Sequence, residues 1–353
     1  MSSVLVAISG GVDSSVAAAL LKDNGYDVIG ITFKHFDLDE LSLDGSTKNC
    51  CSLESLSSAR KVCSVLNIPH YVIGRTDQFK ELVIDHFKES YLKGNTPNPC
   101  TRCNSLIRWP EMIHLADNLG AEYVATGHYA NIVEDQGHFM IHKAKYSAKD
   151  QSYALWALNA EYLKRTLFPN GGYTKERIRE LAADHKLSSA FCPESQDICF
   201  IPEGGYADLV GGAVPGDIVN EEEQIVGRHK GLVHYTVGQR RGLGISNPES
   251  LYVLKIDKEN NRLVAGPERL LFKSEFEVTE TNWFIEICDD DLIKCQAKIR
   301  YRHQPADCTV KVKSNQKTQV IFDEPQRAIT PGQSAVFYNS KALLGGGVID
   351  KVI

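Results

Sequence analysis

The sequence lacks the long apolar runs that membrane-spanning helices require. No run in its 353 residues approaches about 20 apolar positions, so we expect no membrane partner. We also expect no secretory leader, because the N-terminus leads at once into a strand-like run. Ten cysteines without such a leader predict a reducing, cytoplasmic location, where thiols are catalytic, metal-bound or simply buried.

An excess of positive charge is also missing. The chain has 39 Lys and Arg against 45 Asp and Glu, a net charge of −6, which argues against unselective binding to nucleic acid. Internal repeats and low-complexity tracts are absent as well. Because apolar residues make up 42% of a chain longer than one typical domain, we expect two or three globular domains with true cores.

The sequence has no Walker A loop, but it has a different glycine loop. Ser9-Gly-Gly-Val-Asp-Ser14 follows a β-branched run, Val4–Ile8, and precedes an alanine-rich helix predicted over Val16–Asn24. Glycine allows the sharp turn, and the N-terminus of a helix attracts anions. This arrangement predicts a phosphate or pyrophosphate site; the alternative is a tight turn that needs glycine only for packing.

Strands alternate with helices over the first part of the chain. We predict strands at Val4–Ile8, Asp27–Phe33, His70–Gly74 and Glu122–His128, and helices at Ser52–Asn67, Asp77–Lys93 and Asn104–Leu119. Asn95–Cys103 contains two prolines and is predicted to be a loop. Such alternation indicates an α/β fold with a doubly wound parallel sheet, which binds ligands at the carboxyl ends of its strands.

The character of the sequence changes after about Gly204. Short alternating runs are broken by Gly, Pro, Asn and Asp, which is typical of small antiparallel sheets and barrels. Before that point, Ser152–Leu158, Glu161–Leu167 and Thr174–His185 are predicted to be helical. We therefore predict a catalytic α/β domain over residues 1–208, a small central β-rich domain over 209–273, and a C-terminal β-barrel over 274–353.

Cysteines occur in two informative places. Cys100-Thr-Arg-Cys103 lies near the start of a predicted helix, whose dipole favours a thiolate, but one C-x-x-C fits a redox pair, zinc or an iron–sulfur site equally. Cys199 is flanked by Ile198 and Phe200, so a buried structural thiol is the alternative to a reactive one. The structural interpretation is preferred for Cys50, Cys51, Cys63, Cys288, Cys295 and Cys308.

Several motifs, in order over nearly the whole chain, resemble those of the bacterial tRNA-uridine 2-sulfurtransferases, or tRNA-specific 2-thiouridylases. They are Ser9-Gly-Gly-Val-Asp-Ser14, Thr96-Pro-Asn-Pro-x-x-x-Cys-Asn104, Thr126-Gly-His-Tyr-Ala130, Lys149-Asp-Gln-Ser-Tyr153, Ile198-Cys-Phe-Ile201, Tyr235-Thr-Val-Gly-Gln-Arg-Arg-Gly-Leu-Gly244 and Thr330-Pro-Gly-Gln333. The first motif, called a PP-loop, is shared with other ATP pyrophosphatases. A small-molecule ligase of that class is therefore the alternative enzyme, and an RNA-binding module with a degenerate nucleotide site is the non-catalytic one.

The resemblance implies a reaction. ATP would adenylate O2 of the wobble uridine U34 in tRNAs for Lys, Glu and Gln, with release of pyrophosphate, and sulfur would then displace AMP to give 2-thiouridine. Cys199 would carry the sulfur as a persulfide, Cys103 would be the second catalytic thiol, and the two would close a disulfide after turnover. The resemblance also implies Mg2+, with Asp13 as one candidate ligand, and a sulfur donor protein, either a cysteine desulfurase or a relay protein.

The same resemblance assigns binding residues. ATP would be held by Ala7, Ile8, Ser9, Gly10, Gly11, Val12, Asp13, Ser14, Phe33 and Gly127. The tRNA would be contacted by Asn98, Pro99, Cys100, His128, Lys149, Asp150, Gln151, Arg300, Tyr301 and Gln333. Two basic stretches without acidic residues, Gly227–Gly244 and Lys294–His303, support an RNA partner, although solvated faces give the same pattern.

The chain departs from the family pattern at Cys100, where an aspartate is common. Cys100, Cys103 and Cys199 would then offer three thiols to one site. One hypothesis is that they hold a [4Fe–4S] cluster whose open iron binds the transferred sulfide, because cysteine thiolates are the usual ligands of such clusters. The other is persulfide chemistry at Cys103 and Cys199, with Cys100 as a bystander or backup thiol.

Overall fold

A computed structural model describes residues 1–35, 53–191, 198–202, 205–313 and 317–353. The chain forms two compact units. Unit 1 comprises Met1–Ile84, Cys100–Glu203 and Lys341–Leu343, and unit 2 comprises Asp85–Pro99, Gly204–Ser340 and Leu344–Ile353. No helix in the described ranges is both long enough and apolar enough to span a bilayer.

Unit 1 is built on a parallel sheet of five strands in the order β3-β2-β1-β4-β7. An antiparallel hairpin, β5 and β6, follows the fourth strand. The strands of this unit are β1 (Ser3–Ala7), β2 (Asp27–Lys34), β3 (His70–Gly74), β4 (Tyr123–Ala125), β5 (Ala130–Asp135), β6 (His138–Lys143) and β7 (Thr166–Leu167). The chain order reverses on either side of β1, which confirms the predicted doubly wound α/β fold.

The helices cover both faces of this sheet, as its strands require. Val4, Val6 and Ile8 belong to a core with residues of α1, α2 and α7, whereas Leu5 belongs to a second core with residues of α6. The helices of unit 1 are α1 (Val12–Asp23), α2 (Leu53–Val65), α3 (Thr76–Phe79), α5 (Pro99–Cys103, in unit 1 from Cys100), α6 (Trp109–Leu119) and α7 (Lys175–Asp184), whereas α4 (His86–Leu92) and α8 (Tyr206–Val210) belong to unit 2. The alternation along β1 therefore buries both sides of the strand.

Some local predictions need correction. The expected loop over Asn95–Cys103 is wrong at its end, because α5 begins at Pro99 and a π-helical segment, Asn104–Arg108, leads into α6. Proline suits the first position of a helix, where its missing N–H is not needed. Two predicted helices are instead 3₁₀ segments, at Ser152–Leu155 and Ala160–Arg165, and the predicted strand Glu122–His128 is short.

Unit 2 carries the β-rich structure that is expected after Gly204, but its first sheet is mixed and not purely antiparallel, because one of its strand pairs is parallel. Its first sheet has the order β10-β11-β8-β9, and its second is a barrel in the order β12-β15-β14-β13-β16-β17 that closes by pairing β12 with β17. The strands are β8 (Gly216–Val219), β9 (Ile225–His229), β10 (Leu251–Asp257), β11 (Arg262–Pro267), β12 (Phe272–Trp283), β13 (Leu292–Lys298), β14 (Ala306–Lys313), β15 (Lys317–Arg327), β16 (Ser334–Asn339) and β17 (Ala342–Val352). Closure leaves the barrel sheet without edges.

Candidate active site

The loop between β1 and α1 is fixed by its own side chains. Gly10 has a positive φ of 81°, and a Cβ there would lie 2.5 Å from the carbonyl oxygen of Ser55. The N–H of Ser9 donates to Oγ of Ser14 over 3.1 Å, and that hydroxyl donates to the carbonyl of Gly11. Since Gly11 is the N-cap and has no side chain, first-turn N–H groups of α1 remain available for an anion.

A pocket of about 190 Å3 lies over this loop in unit 1. Most residues assigned to ATP line it, together with two residues assigned to tRNA: Ala7, Ile8, Ser9, Asp13, Ser14, Phe33, Gly127, His128 and Gln151. Gly10, Gly11 and Val12 form the loop beneath it. Its wall also contains residues that the sequence did not indicate, namely Ile31, Thr32, His35, Arg108 and Thr126. The carboxyl ends of β1, β2 and β4 thus meet at one site.

Gly127 touches the glycine loop through the backbone. A Cβ at this position would lie 2.6 Å from the amide nitrogen of Ser14, so only glycine fits without a shift of α1. Asn170, which is fully buried, donates through Nδ2 to the carbonyl oxygens of both Asp13 and Gly127, over 2.9 Å each. Asn170 therefore ties together the two walls of the pocket.

Asp13 is held by two side chains from elsewhere in unit 1. Lys175 donates from Nζ to Oδ1 and Oδ2 of Asp13 over 2.6 and 2.8 Å, and the hydroxyl of Tyr129 donates to Oδ1 over 2.6 Å. The side chain of Lys175 is 8% exposed, and that of Asp13 is 34% exposed. Oδ1 thus accepts two of these bonds and Oδ2 accepts one, and the role of Asp13 as a Mg2+ ligand stays a prediction.

His128 is an uncharged hydrogen-bonding group. Burial, followed by the nearby charge of Arg108, lowers the pKa of His128 from 6.5 to about 3. Its Nδ1 lies 2.8 Å from Oγ1 of Thr126, and its ring packs near Trp109 and Phe168. A neutral imidazole in the pocket wall can exchange hydrogen bonds with a base or a nucleotide but adds no positive charge.

The segment from Lys149 to Gln151 follows the same wall. Asp150 is buried, and its carboxylate accepts from the N–H of Ala144 over 2.9 Å and from the hydroxyl of Ser152 over 2.9 Å. Gln151 accepts at Oε1 from the N–H of Tyr129, also over 2.9 Å. Asp150 thus holds the turn in shape, while Lys149 is partly exposed and Gln151 reaches the pocket.

The assigned thiols differ in exposure. Cys103 is 8% exposed at the end of α5, Cys199 is half-buried, and Cys100 is exposed. Within the described ranges, no group of three or more His, Cys, Asp or Glu is placed to hold a metal ion. Cys100, Cys103 and Cys199 therefore do not fit an iron–sulfur cluster in this structure. Cys50, Cys51 and Cys192 lie outside the described residues.

An aromatic series connects the Cys199 turn to the pocket wall. Phe200 packs edge-on against Phe79 with ring centroids 5.7 Å apart, Phe79 stacks on His35 at 4.6 Å, and His35 stacks on Phe33 at 5.6 Å. Phe33 and His35 line the pocket. The residue next to Cys199 is thus anchored to the same site that the glycine loop forms. On the other side, Arg108 lines the pocket from the end of the π-helical segment that follows Cys103.

Unit 2 contains the remaining residues assigned to tRNA. Gln333 donates from Nε2 to the carbonyl of Thr96 over 2.7 Å, and the N–H of Thr96 donates to Pro331, so the segment that contains Asn98 and Pro99 is tied to the barrel. Arg300 donates to the carbonyls of Arg327 and Ala328 over 2.6 and 2.7 Å. The ring of Tyr301 is exposed, with the ammonium of Lys298 5.5 Å from its centroid.

Family models and full-length relatives match the chain. The models described as tRNA methyl transferase HUP domain, tRNA methyl transferase PRC-barrel domain and Aminomethyltransferase beta-barrel domain match residues 2–203, 208–267 and 273–349. A protein of Chloroflexus aggregans named tRNA-specific 2-thiouridylase MnmA is 44% identical over 355 residues, covering 99% of this chain and 98% of the relative. Proteins of the same name from Geobacter metallireducens and Clostridium acetobutylicum are 43% and 42% identical and cover 98% of this chain, and 96% and 99% of those relatives.

The chain belongs to the tRNA-specific 2-thiouridylase family. Membership of this enzyme family confirms the resemblance drawn from the sequence motifs. In this 2-thiouridylase, sequence reasoning missed Tyr129, Asn170 and Lys175, which hold the glycine loop. Tyr129 lies in the motif Thr126-Gly-His-Tyr-Ala130, which was the available signal for it. A motif search offers little signal for Asn170 and Lys175, since each acts through a contact more than 40 positions away in the chain.

Proposed function

We propose that this protein performs the ATP-dependent 2-thiolation of the wobble uridine U34 in tRNAs for Lys, Glu and Gln. The observation that carries the proposal is the pocket at the carboxyl ends of β1, β2 and β4, which brings the glycine loop, Gly127, His128 and Gln151 together. The full-length relatives supply the substrate class by their name. The reaction takes place in the cytoplasm, on tRNA that the protein recruits from solution.

In the first step, O2 of the uridine attacks the α-phosphorus of ATP and pyrophosphate leaves. The N–H groups at the start of α1 and the Ser9 and Ser14 hydroxyls hold the phosphates, with Phe33 and Ala7 in the pocket wall. Mg2+ that accompanies ATP would neutralise phosphate charge. Neutral His128 and Gln151 orient the pyrimidine by hydrogen bonds, and Arg108 supplies positive charge near the phosphates.

In the second step, the terminal sulfur of a Cys199 persulfide attacks C2, and AMP leaves with the former O2. Cys103 then attacks Sγ of Cys199, so the C2-bound sulfur departs as 2-thiouridine and a Cys103–Cys199 disulfide remains. The two electrons that convert persulfide sulfur to thiocarbonyl sulfur come from the two thiols. An external thiol reduces the disulfide before the next cycle, and a sulfur donor protein, a cysteine desulfurase or a relay protein, reloads Cys199.

Residues from several parts of the chain contact the tRNA. Asn98, Pro99 and Cys100 line the target base, Lys149 and Gln151 meet the anticodon loop, and Asp150 shapes their turn. Arg300, Tyr301 and Gln333 contact the tRNA, with Tyr301 as an exposed stacking surface. In this proposal residues 1–208 form the catalytic domain, and the domains over residues 209–273 and 274–353 bind the body of the tRNA.

The test is sulfur transfer in vitro to unmodified tRNA that carries U34. The full chain is supplied with ATP, Mg2+ and a cysteine desulfurase with cysteine, and thiouridine is counted by nucleoside mass spectrometry. Wild type is compared with Cys103→Ala, Cys199→Ala and Cys100→Ala, and Cys288→Ala serves as an exposed thiol control in unit 2. Iron is measured in each anaerobic preparation.

Each outcome decides between named mechanisms. Thiouridine formed by wild type, Cys100→Ala and Cys288→Ala but not by Cys103→Ala or Cys199→Ala supports the proposal. Joint loss of activity and bound iron in the Cys100, Cys103 and Cys199 variants would replace the persulfide step with a cluster. ATP cleavage to AMP with small acids or amines, and no thiouridine with any tRNA, would overturn the proposal in favour of a small-molecule ligase.

A further inference from the structure

Two thiols face each other across neighbouring strands of the barrel in unit 2. Cys295 on β13 and Cys308 on β14 are direct partners in the antiparallel register. Their Sγ atoms lie 3.7 Å apart. Cys308 is 3% exposed, whereas Cys295 is partly exposed. Nothing in the sequence groups these two thiols, and the structural interpretation is the one preferred for each of them on sequence alone.

The barrel keeps these thiols together. On the next rung of the same strand pair, Gln296 donates to Asp307 over 3.0 Å. On its other side β14 pairs with β15, where Cys308 faces Phe322. Directly opposed residues in antiparallel strands have Cα atoms about 4.5–5.5 Å apart, within the span that a disulfide bridges. Rotation of the side chains alone can therefore bring the sulfur atoms to bonding distance.

We propose that Cys295 and Cys308 form a redox-active dithiol that a hydroperoxide converts into a cross-strand disulfide in the folded barrel. Cys295 is the thiol that solvent reaches, so it attacks the peroxide oxygen and becomes a sulfenic acid, releasing water or an alcohol. Cys308 then attacks the sulfenic sulfur and expels water. Two thiols and one hydroperoxide give one disulfide, one water and one water or alcohol.

The environments of the two thiols explain why Cys295 reacts first and Cys308 second. The hydrogen bond with Cys295 and burial raise the pKa of Cys308 well above its usual range, with smaller contributions from Cys295, Asp323 and Asp307. Cys308 thus stays a thiol while Cys295 meets the oxidant, and it acts second. This chemistry is independent of the proposed transfer reaction, because it uses neither Cys103 nor Cys199.

The experiment maps disulfides in the full chain. Reduced protein is treated with a small excess of hydrogen peroxide, remaining thiols are alkylated, and the digest is analysed without reduction. We expect a peptide pair joined through Cys295 and Cys308 with loss of two hydrogens, formed in native protein and retained in Cys288→Ser. In Cys308→Ser we expect Cys295 to be trapped by dimedone as a sulfenic acid at a level several-fold above wild type.

Two results would overturn the proposal. One is that peroxide oxidises the exposed Cys288 but leaves Cys295 and Cys308 reduced, so that both can still be alkylated once the protein is unfolded. The other is that their cross-link forms only when peroxide is added to unfolded protein. Cys295→Ser keeps the test decisive if Cys308→Ser fails to fold, because buried Cys308 alone should then resist both dimedone and peroxide.

Discussion

Lys175 donates to both carboxylate oxygens of Asp13, over 2.6 and 2.8 Å, across 162 positions of the chain. Lys175 is the first residue of α7, and Asp13 lies in the first turn of α1. The ion pair therefore connects the N-terminus of α7 to the N-terminus of α1. Since the first turn of α1 forms the floor of the pocket, this pair determines where its N–H groups point.

Loss of this ion pair is expected to destabilise unit 1. Lys175→Met should lower the free energy of unfolding by about 2 kcal/mol, less than for a fully buried pair because the side chain of Asp13 is 34% exposed. Tyr129→Phe, which removes one hydrogen bond to the same carboxylate, should cost about 1 kcal/mol. Urea unfolding measures both. Equal stability of Lys175→Met and wild type would contradict the importance of the ion pair.

Substitution of Gly127 is expected to damage ATP binding. In Gly127→Ala the new Cβ would meet the backbone of Asp13 and Ser14, which cannot give way without moving α1. An overpacking cost of about 1–3 kcal/mol corresponds to a roughly five- to 150-fold weaker Kd for ATP. Gly74→Ala is the matched control, since a Cβ there meets nothing within 4 Å. Calorimetric titration that finds unchanged ATP affinity in Gly127→Ala would refute this prediction.

The Lys175–Asp13 ion pair and the contact of Gly127 with α1 also show which features of the site the sequence alone can predict and which it cannot. The strand–glycine–helix pattern of Val4–Ser14 was enough to predict β1, the anion loop and the sheet type, because each depends on neighbours in sequence. The spacing said nothing about Asn170 or Lys175, since a single asparagine or lysine is ambiguous until the fold brings it to Asp13. Family motifs, not periodicity, identified Gly127 and His128.

Several predicted helix and strand boundaries are wrong because of local features of the chain. The prolines of Asn95–Cys103 predict a loop, but Pro99 is the first residue of α5, where the lack of an N–H costs nothing. The runs after Ser152 and Glu161 were long enough to suggest α-helices, yet they form 3₁₀ turns. Strand β17 contains Gly345, Gly346 and Gly347, and glycine in the interior of a strand does not favour that structure in the sequence.

His128 is expected to remain neutral at every pH where the protein functions. Its pKa of about 3 means that NMR signals of the imidazole should not titrate between pH 8 and 5. His128→Asn identifies the signals. An imidazole that takes up a proton between pH 7.5 and 5.5 would contradict the neutral state.

The same pKa shift predicts an acid-sensitive contribution to stability. The unfolded chain binds a proton at His128 near pH 6.5, whereas the folded chain does so only near pH 3. The contribution is therefore complete above pH 6.5 and falls as the pH drops toward 3. The difference in unfolding free energy between wild type and His128→Asn should shrink as the pH falls from 6.5 toward 3. A difference that grows as the pH falls would contradict this prediction.

Gln333 is expected to act through Thr96. Gln333→Glu cannot donate to the Thr96 carbonyl, so loss of about 1 kcal/mol should speed hydrogen exchange of the Thr96 amide about fivefold. Gln224→Glu is the control, because Oε1 of Gln224 accepts from Asn220 and a carboxylate can do the same. Unchanged exchange at Thr96 in Gln333→Glu would show that the barrel does not hold this segment.

The central claim is that O2 of the uridine is activated as an adenylate. The most direct measurement uses a tRNA whose U34 carries 18O at O2, in a single turnover with ATP and persulfide-loaded enzyme, followed by mass spectrometry of the AMP. Because the C2–O2 bond breaks and the oxygen leaves with phosphorus, the account predicts one 18O in AMP for each 2-thiouridine formed. Unlabelled AMP formed alongside 2-thiouridine would contradict it.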